Sequence, residues 1–503
     1  MKKLWKKLVA VTTAVMMAIT LLPAMANAET TIGNDTSTGT LNITKKETNS
    51  KDPVEGAVFT AYKVAKLTTG AEGTYKKFEL IDPFKNLEIG ADDFGNLSTA
   101  QLEAKANDAR NKTEQEANQG TLIKKVSEET NDQGKTTISG LEKGYYLVVE
   151  TTTPKGYIAA KPFFVSVPTA EKNADGAAVG WTYEINAVPK NEAIGNPEKK
   201  ADKDTVGTDE EVTYTIKGTQ VANYDEGYKK ESLKYWISDK FPEGFSLKAD
   251  SLKVYKSKED LEAGNALVLN TDYTLASEAD LNGNTFIVKF EGEQVKNQAG
   301  NTIYVRYTAV ANNPSAVNRN DADNEFTNNP NGGTEHKKAS KDVYSFTISV
   351  DKRGDKDNSP LSGAEFNLLD ENENVLGTGT SDEEGNVVFK KDNKNIKVSK
   401  GTYYLEETKA PSGYTLLTSK IKVEVIETTA DDGAVSYTYK ANNADKGTAI
   451  DTKTGEITIT VENKKGFTIP STGGMGTYLF TIAGLVIMAG AAFLLIASRK
   501  RRA

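Results

Sequence analysis

From Tyr478 to Ala497 the chain runs 20 residues without a charge, and Arg499-Lys500-Arg501-Arg502 follows at once. At about 1.5 Å of rise per residue such a run matches a hydrocarbon core of roughly 30 Å. A basic cluster behind it favours retention on the cytoplasmic side. The pattern predicts a C-terminal transmembrane helix. A second apolar stretch, Leu8–Leu22, follows Lys2, Lys3, Lys6 and Lys7 and leads to the small residues Ala26-Asn27-Ala28. That is the form of a secretory signal over 1–28, with the mature chain starting at Glu29. The segment between these ends must therefore fold outside the cell. It contains no cysteine, so no disulfide can staple it and no thiolate can serve as nucleophile or metal ligand.

The net charge of −8 already includes both basic ends, so the exported part is more acidic still and nucleic acid is excluded as a partner. The single histidine, His336, follows Asn328-Asn329-Pro330-Asn331-Gly332-Gly333 and reads as a solvated linker residue. Multi-histidine metal sites are ruled out, Asp351–Asp357 reads as a solvated acidic turn, and neither a metal nor a cofactor is expected. Glu406 and Glu407 form a tempting acid pair for a surface hydrolase. Adjacent residues on a strand point to opposite faces, however, and nothing catalytic accompanies them, so no enzyme is expected.

Short alternating runs dominate the interior, among them Leu41–Lys45, Val212–Ile216 and Ile457–Val461. Period-two patterning in Thr, Val, Tyr and Ile, bounded by Gly, Asp and Asn, predicts half-buried strands arranged as sandwiches. One helix is predicted at Thr99–Glu116. An internal repeat divides the chain. Lys45 precedes Pro53-Val-Glu-Gly-Ala-Val-Phe59, and Lys352 precedes Pro360-Leu-Ser-Gly-Ala-Glu-Phe366 at the same spacing. Downstream, Tyr146-Leu-Val-Val-Glu150-Thr151 through Pro154-Lys-Gly156-Tyr157 matches Tyr403-Tyr-Leu-Glu-Glu407-Thr408 through Pro411-Ser-Gly413-Tyr414. The interval from Phe to Glu is longer in the first copy, and the predicted helix lies inside it as an insertion. The fold expected is mostly β, with three tandem immunoglobulin-like β-sandwich domains. Its divisions are signal 1–28, domains 29–194, 195–338 and 339–467, and a C-terminal segment 468–503. The boundaries rest on polar stretches at Ala193–Pro197 and Asn331–Ser340.

Ile469-Pro470-Ser471-Thr472-Gly473-Gly474, with the apolar run and basic tail behind it, resembles the cell-wall sorting signal of Gram-positive surface proteins. Ile469 stands where that family usually has Leu. The resemblance implies that a sortase cysteine cleaves between Thr472 and Gly473 and passes the threonyl group to an amine. The repeat is similar to the collagen-adhesin B-type immunoglobulin-like domain, whose glutamate motif is the E-box. The middle segment, with Val212-x-Tyr-x-Ile216, Ile237-Ser-Asp239 and Asn324-Glu-Phe, resembles the central domain of pilin shafts.

In such domains a first-strand lysine is welded to a last-strand asparagine as an intramolecular isopeptide, promoted by a buried acid. Burial disfavours an ammonium and a carboxylate alike, freeing the amine and protonating the acid. The resemblance implies Lys352, Glu407 and Asn463 in the third domain. In the first it implies Lys45 and Glu150, with Asn191 as partner and Asn186 as rival. In the middle it implies Lys199, Asp239 and Asn324, with Lys200 as an alternative to Lys199. Finally, Trp181-Thr-Tyr183-Glu-Ile185-Asn-Ala187-Val-Pro189-Lys190 resembles the motif of sortase-assembled pili, whose lysine attacks the acyl-enzyme. Proline interrupts strand pairing and would leave Lys190 at an accessible edge. The combination implies a backbone pilin held at the cell wall. Its partners would be a pilus-specific sortase, a housekeeping sortase, identical subunits, minor pilins, peptidoglycan and host extracellular matrix. A wall-anchored adhesin or minor pilin, which would not require Lys190, is the other reading.

Overall fold

The structure is a computed structural model that describes residues 37–69, 75–87, 97–172, 178–442, 444, 446–466 and 475–500. The signal and the sorting motif (Ile469, Pro470, Thr472, Gly473) lie outside the described residues. The described chain is mostly strand and forms two compact units. One comprises residues up to 204 together with 209–314 and 318–343; the other comprises 205–208, 315–317 and 344 onward.

Two sandwiches make up the first unit. In the first, Gly39–Thr44 lies between Lys135–Leu141, antiparallel, and Glu184–Ala187, parallel. Facing it is a sheet whose central strands are Val58–Thr69 and Gly144–Thr152. Leu41, Ile43, Phe59, Val148 and Ile185 fill the space between. The helix predicted in the insertion spans Thr99–Thr113 and starts with a capping box between Ser98 and Gln101. Its Leu102, Ala106 and Ala109 pack with Phe78, Tyr145 and Leu147 on the outer face of the same sheet. Covering both faces explains why the strand Gly144–Thr152 is buried almost continuously. Its counterpart Gly401–Lys409, with no helix over it among the described residues, buries alternate residues.

The second sandwich sets the sheet of Glu198–Ala201, Glu211–Gln220, Thr302–Ala311 and Phe245–Leu247 against a five-stranded one. The latter is built around Lys234–Lys240 and Val317–Thr327, with Thr334–Tyr344 at its edge. That edge strand corrects one expectation. The polar stretch read as a linker, His336 included, is extended and paired, and the compact units part at Tyr344. Its lysines suit an exposed edge, where charge discourages pairing with another chain. His336 stands beside Asp323 at 3.2 Å, on the neighbouring strand.

The second unit pairs Thr347–Gly354 in parallel with Glu456–Asn463, the first strand of its sandwich with the last. An eight-stranded sheet containing Glu365–Leu369 and Gly401–Lys409 lies opposite. Phe346, Ile348, Val350, Phe366, Leu405, Ile457 and Ile459 share its core. Met475–Lys500 is helical, and its segment Leu479–Ser498 is long and apolar enough to cross a membrane, with a mean hydropathy of 2.6.

Candidate functional site

Three buried lysines each meet a buried acid or a strand end beside a buried asparagine. In the first sandwich Lys45 is wholly buried, and its Nζ donates to Glu150 Oε2 at 2.6 Å. The other oxygen, Oε1, accepts from Asn191 Nδ2 at 2.9 Å. Lys45 sits just beyond Gly39–Thr44 and Asn191 on Lys190–Ala193, so the chain's first and last strands here run side by side. The Lys45 ammonium lies 5.3 Å from the ring centroid of Phe59, the aromatic of the repeat. Burial pushes the Lys45 amine below its ordinary range, against the opposing pull of Glu150. Asn186, the rival, is exposed on Glu184–Ala187.

The second unit repeats the design. Lys352 Nζ donates to the Val461 carbonyl at 2.9 Å, while Asn463 Nδ2 donates to both oxygens of Glu407 at 2.8 and 2.9 Å. Burial lowers Lys352 to about 8, opposed chiefly by Glu407. A backbone amide ten residues beyond each glutamate fixes the carboxylate. Ala160 N donates to Glu150 Oε2 and Leu417 N to Glu407 Oε2, both at 2.9 Å.

Two glycines were missed by the sequence reading. The backbone N–H of Lys45 donates to the Gly134 carbonyl at 2.6 Å, and that of Lys352 to Gly385 at 2.7 Å. Both glycines have positive φ, and a Cβ on either would fall within 2.5 Å of the lysine's own carbonyl oxygen. Only glycine permits that approach and conformation. The available signal was a shared turn, Asn131-x-x-Gly134 in one copy and Asp382-x-x-Gly385 in the other. In both, the Asn or Asp side chain accepts from the backbone N–H two residues on, closing the turn that the glycine completes.

The middle sandwich is built differently. Lys199 Nζ donates to Asp239 Oδ2 and, at 2.7 Å, to Asn320 Oδ1. Lys200, the alternative, has a side chain 78% exposed beside Glu198. Asn324 does not meet the lysine: its Oδ1 accepts from Thr219 N at 2.7 Å and Oγ1 at 2.9 Å, and its Nδ2 donates to the Trp236 carbonyl. Asn320 and Asn324 lie on the same buried face of Val317–Thr327, so strand parity could not separate them. Lys199 and Asn320 also belong to opposite sheets, and Asn320 stands on the penultimate strand, not the last. Burial lowers Lys199 to about 8 and raises Asp239 to about 6, each against the opposing pull of the other.

Each arrangement can do the same chemistry. The neutral amine attacks the carboxamide carbon, a C–N bond forms, the bond to Nδ2 breaks, and ammonia leaves. An acid in contact with the amine or with the leaving nitrogen can carry the proton between them. Proximity replaces an external catalyst.

Lys190 lies next to this chemistry without taking part. It is half-buried at the start of Lys190–Ala193, and its side chain has no hydrogen bond or ion pair among the described residues. Its neighbour Val188 is 43% exposed.

The family described as SpaA, a prealbumin-like fold domain, matches residues 39–179 and 346–443, the two sandwiches with the E-box. An LPXTG cell wall anchor motif matches 461–503. The chain carries SpaA-type pilin domains and a Gram-positive cell wall anchor. The chain is 26% identical over 347 residues to the trypsin-resistant surface T6 protein of Streptococcus pyogenes, spanning 54% of its own length and 62% of that relative. It is 26% identical over 441 residues to fimbrial subunit type 1 of Actinomyces viscosus, spanning 76% and 78%. In fold it is similar to the T6 backbone pilin of S. pyogenes, with TM-score 0.59 and 19% identity over 86% of this chain and 99% of that one. The full-length major pilin SpaD of Corynebacterium diphtheriae follows at TM-score 0.52 and 20% identity, over 86% and 98%.

Proposed function

We propose that this pilin is the backbone subunit of a covalent surface pilus in three domains, each stabilised by a self-formed isopeptide. Export removes the signal, and the apolar helix holds the chain at the membrane. A pilus-specific sortase cleaves after Thr472 and joins the threonyl carbonyl to Lys190 of the next subunit. Repetition gives a head-to-tail fibre, with minor pilins as accessories, which a housekeeping sortase finally links to peptidoglycan. The internal bonds are Lys45–Asn191, Lys199–Asn320 and Lys352–Asn463, promoted by Glu150, Asp239 and Glu407. Each forms once within its own chain, so the protein is a sortase substrate and a structural subunit, not an enzyme.

The observation that carries this reading is the position of Lys190. It follows Pro189 at a strand start, with a side chain unengaged among the described residues, as a nucleophile offered to another protein would be. Tandem mass spectrometry on the ladder released from cell walls by muramidase tests it. A branched peptide joining Thr472 to Lys190 is expected. Thr472 found only on peptidoglycan amines would make the chain a wall-anchored adhesin instead.

A further inference from the structure

The acid of the middle site is one methylene shorter than the other two, and a phenol stands in the resulting gap. Tyr307 O–H donates to Asp239 Oδ2 at 2.8 Å, and Asn320 Nδ2 donates to the same phenol oxygen at 2.9 Å. In the first and third sites the glutamate touches the amide nitrogen directly. In the middle the carboxylate touches the lysine, and the tyrosine hydroxyl spans the remaining distance to the amide nitrogen. Tyr307 is buried and held between aromatic rings, stacked with Tyr214 at 5.6 Å and with Phe241 at 5.3 Å. Its hydroxyl is therefore fixed in place.

We propose that Tyr307 is a catalytic residue of the middle domain, relaying the proton that departs with the amide nitrogen of Asn320. This rests on the isopeptide reading of Lys199, Asp239 and Asn320. Asp239 takes a proton from the Lys199 ammonium, and the free amine attacks Cγ of Asn320. While the carboxamide is planar its nitrogen only donates, as observed. In the tetrahedral adduct that nitrogen acquires a lone pair and accepts instead, so the hydrogen bonds reverse. Asp239 passes its proton to the phenol oxygen as the phenol gives its own to Nδ2. One of the two protons on the attacking nitrogen then passes to Asp239, the other staying as the amide N–H, the Cγ–Nδ2 bond breaks, and ammonia departs. Tyr307 ends as it began, having gained and lost one proton.

The test is a time course after cell-free synthesis of the full chain in detergent. The branched peptide Lys199–Asn320 is quantified by mass spectrometry, and the Lys45–Asn191 and Lys352–Asn463 peptides in the same samples serve as internal controls. With Tyr307→Phe the middle bond is expected to form slower by on the order of 100-fold, the other two keeping their rates. Difluorotyrosine at 307, with the ring kept and a more acidic hydroxyl, restores the bond at a rate altered from that of tyrosine. Unchanged rates in both overturn the relay. If Tyr307→Phe fails to fold, difluorotyrosine decides alone: an altered rate supports the relay, and a rate identical to tyrosine overturns it. A branched Lys199 peptide persisting in Asp239→Ala or Asn320→Ala would instead overturn the underlying reading of the site.

Discussion

Lys190 and Asn191 are consecutive on one strand and face opposite ways. Asn191 is fully buried, with its amide nitrogen 2.9 Å from Glu150 Oε1, whereas Lys190 is half-buried with no side-chain partner among the described residues. The alternation of a β-strand thus places the residue proposed for the internal bond and the residue proposed for the external one side by side. In the proposed fibre, force applied at Lys190 would pull on the strand that the Lys45–Asn191 bond pins, so the sandwich could not release it by breaking hydrogen bonds alone.

Lys190→Ala should abolish the high-mass ladder, and Lys190→Arg should do the same, since a guanidinium stays protonated and is no nucleophile. Both variants should still lose the ammonia of the Lys45–Asn191 bond. Immunoblots of wall extracts read the first outcome and intact mass the second. A ladder persisting in Lys190→Arg would move polymerisation to another lysine.

Glu407→Ala should leave Lys352 and Asn463 unjoined, with one ammonia retained. The bond closes a loop on the order of 100 residues, so by analogy with disulfide entropy its loss costs about 4–5 kcal/mol. Denaturant titration beside the parent chain measures it.

Asn320→Ala and Asn324→Ala separate the two middle-domain candidates. The first should lose one ammonia fewer than the parent chain. The second should form the bond but lose about 1–3 kcal/mol, because the Thr219 amide and hydroxyl are left without their buried acceptor. The reverse pattern in the mass spectra would restore Asn324.

Gly385→Ala should shift the Lys352 backbone, because the new Cβ meets the lysine carbonyl at 2.5 Å in a conformation with φ of +87°. The third bond should then form more slowly although no reacting group has changed. Peptide mapping over time reads this, with the first-domain bond as reference.

The depressed amine of Lys352 fixes a pH dependence in a chain that cannot crosslink. Its folded value of about 8 lies below the ordinary lysine value of 10.5, so the unfolded state binds more protons between those limits. In Asn463→Ala, stability should therefore rise as pH climbs from about 8 towards 10.5, by at most about 1.4 kcal/mol per unit. Adding Lys352→Met should remove that slope in urea titrations; an unchanged slope would show that Lys352 is not its source.

Much of this protein is decided by local pattern. The two apolar ends, the period-two strands, the helix begun by Ser98 and the spacing from lysine to proline to glutamate are properties of short stretches read in order. Lys352 and Glu407 could be paired because the same motif occurs twice, and Asn463 because the resemblance implies a last-strand asparagine and it ends the strand from Ile457. The middle sandwich has no second copy. There the face of a strand was legible but not the height along it, since Asn320 and Asn324 repeat the same parity and only the packing of opposite sheets brings one of them to Lys199. Tyr307 and the glycines at 134 and 385 escaped for a related reason: each acts on a residue far along the chain. Which residues are buried followed largely from sequence. Which of them touch was decided by the fold, because a buried amine becomes a reagent only where another strand delivers its acid and its amide within hydrogen-bonding distance.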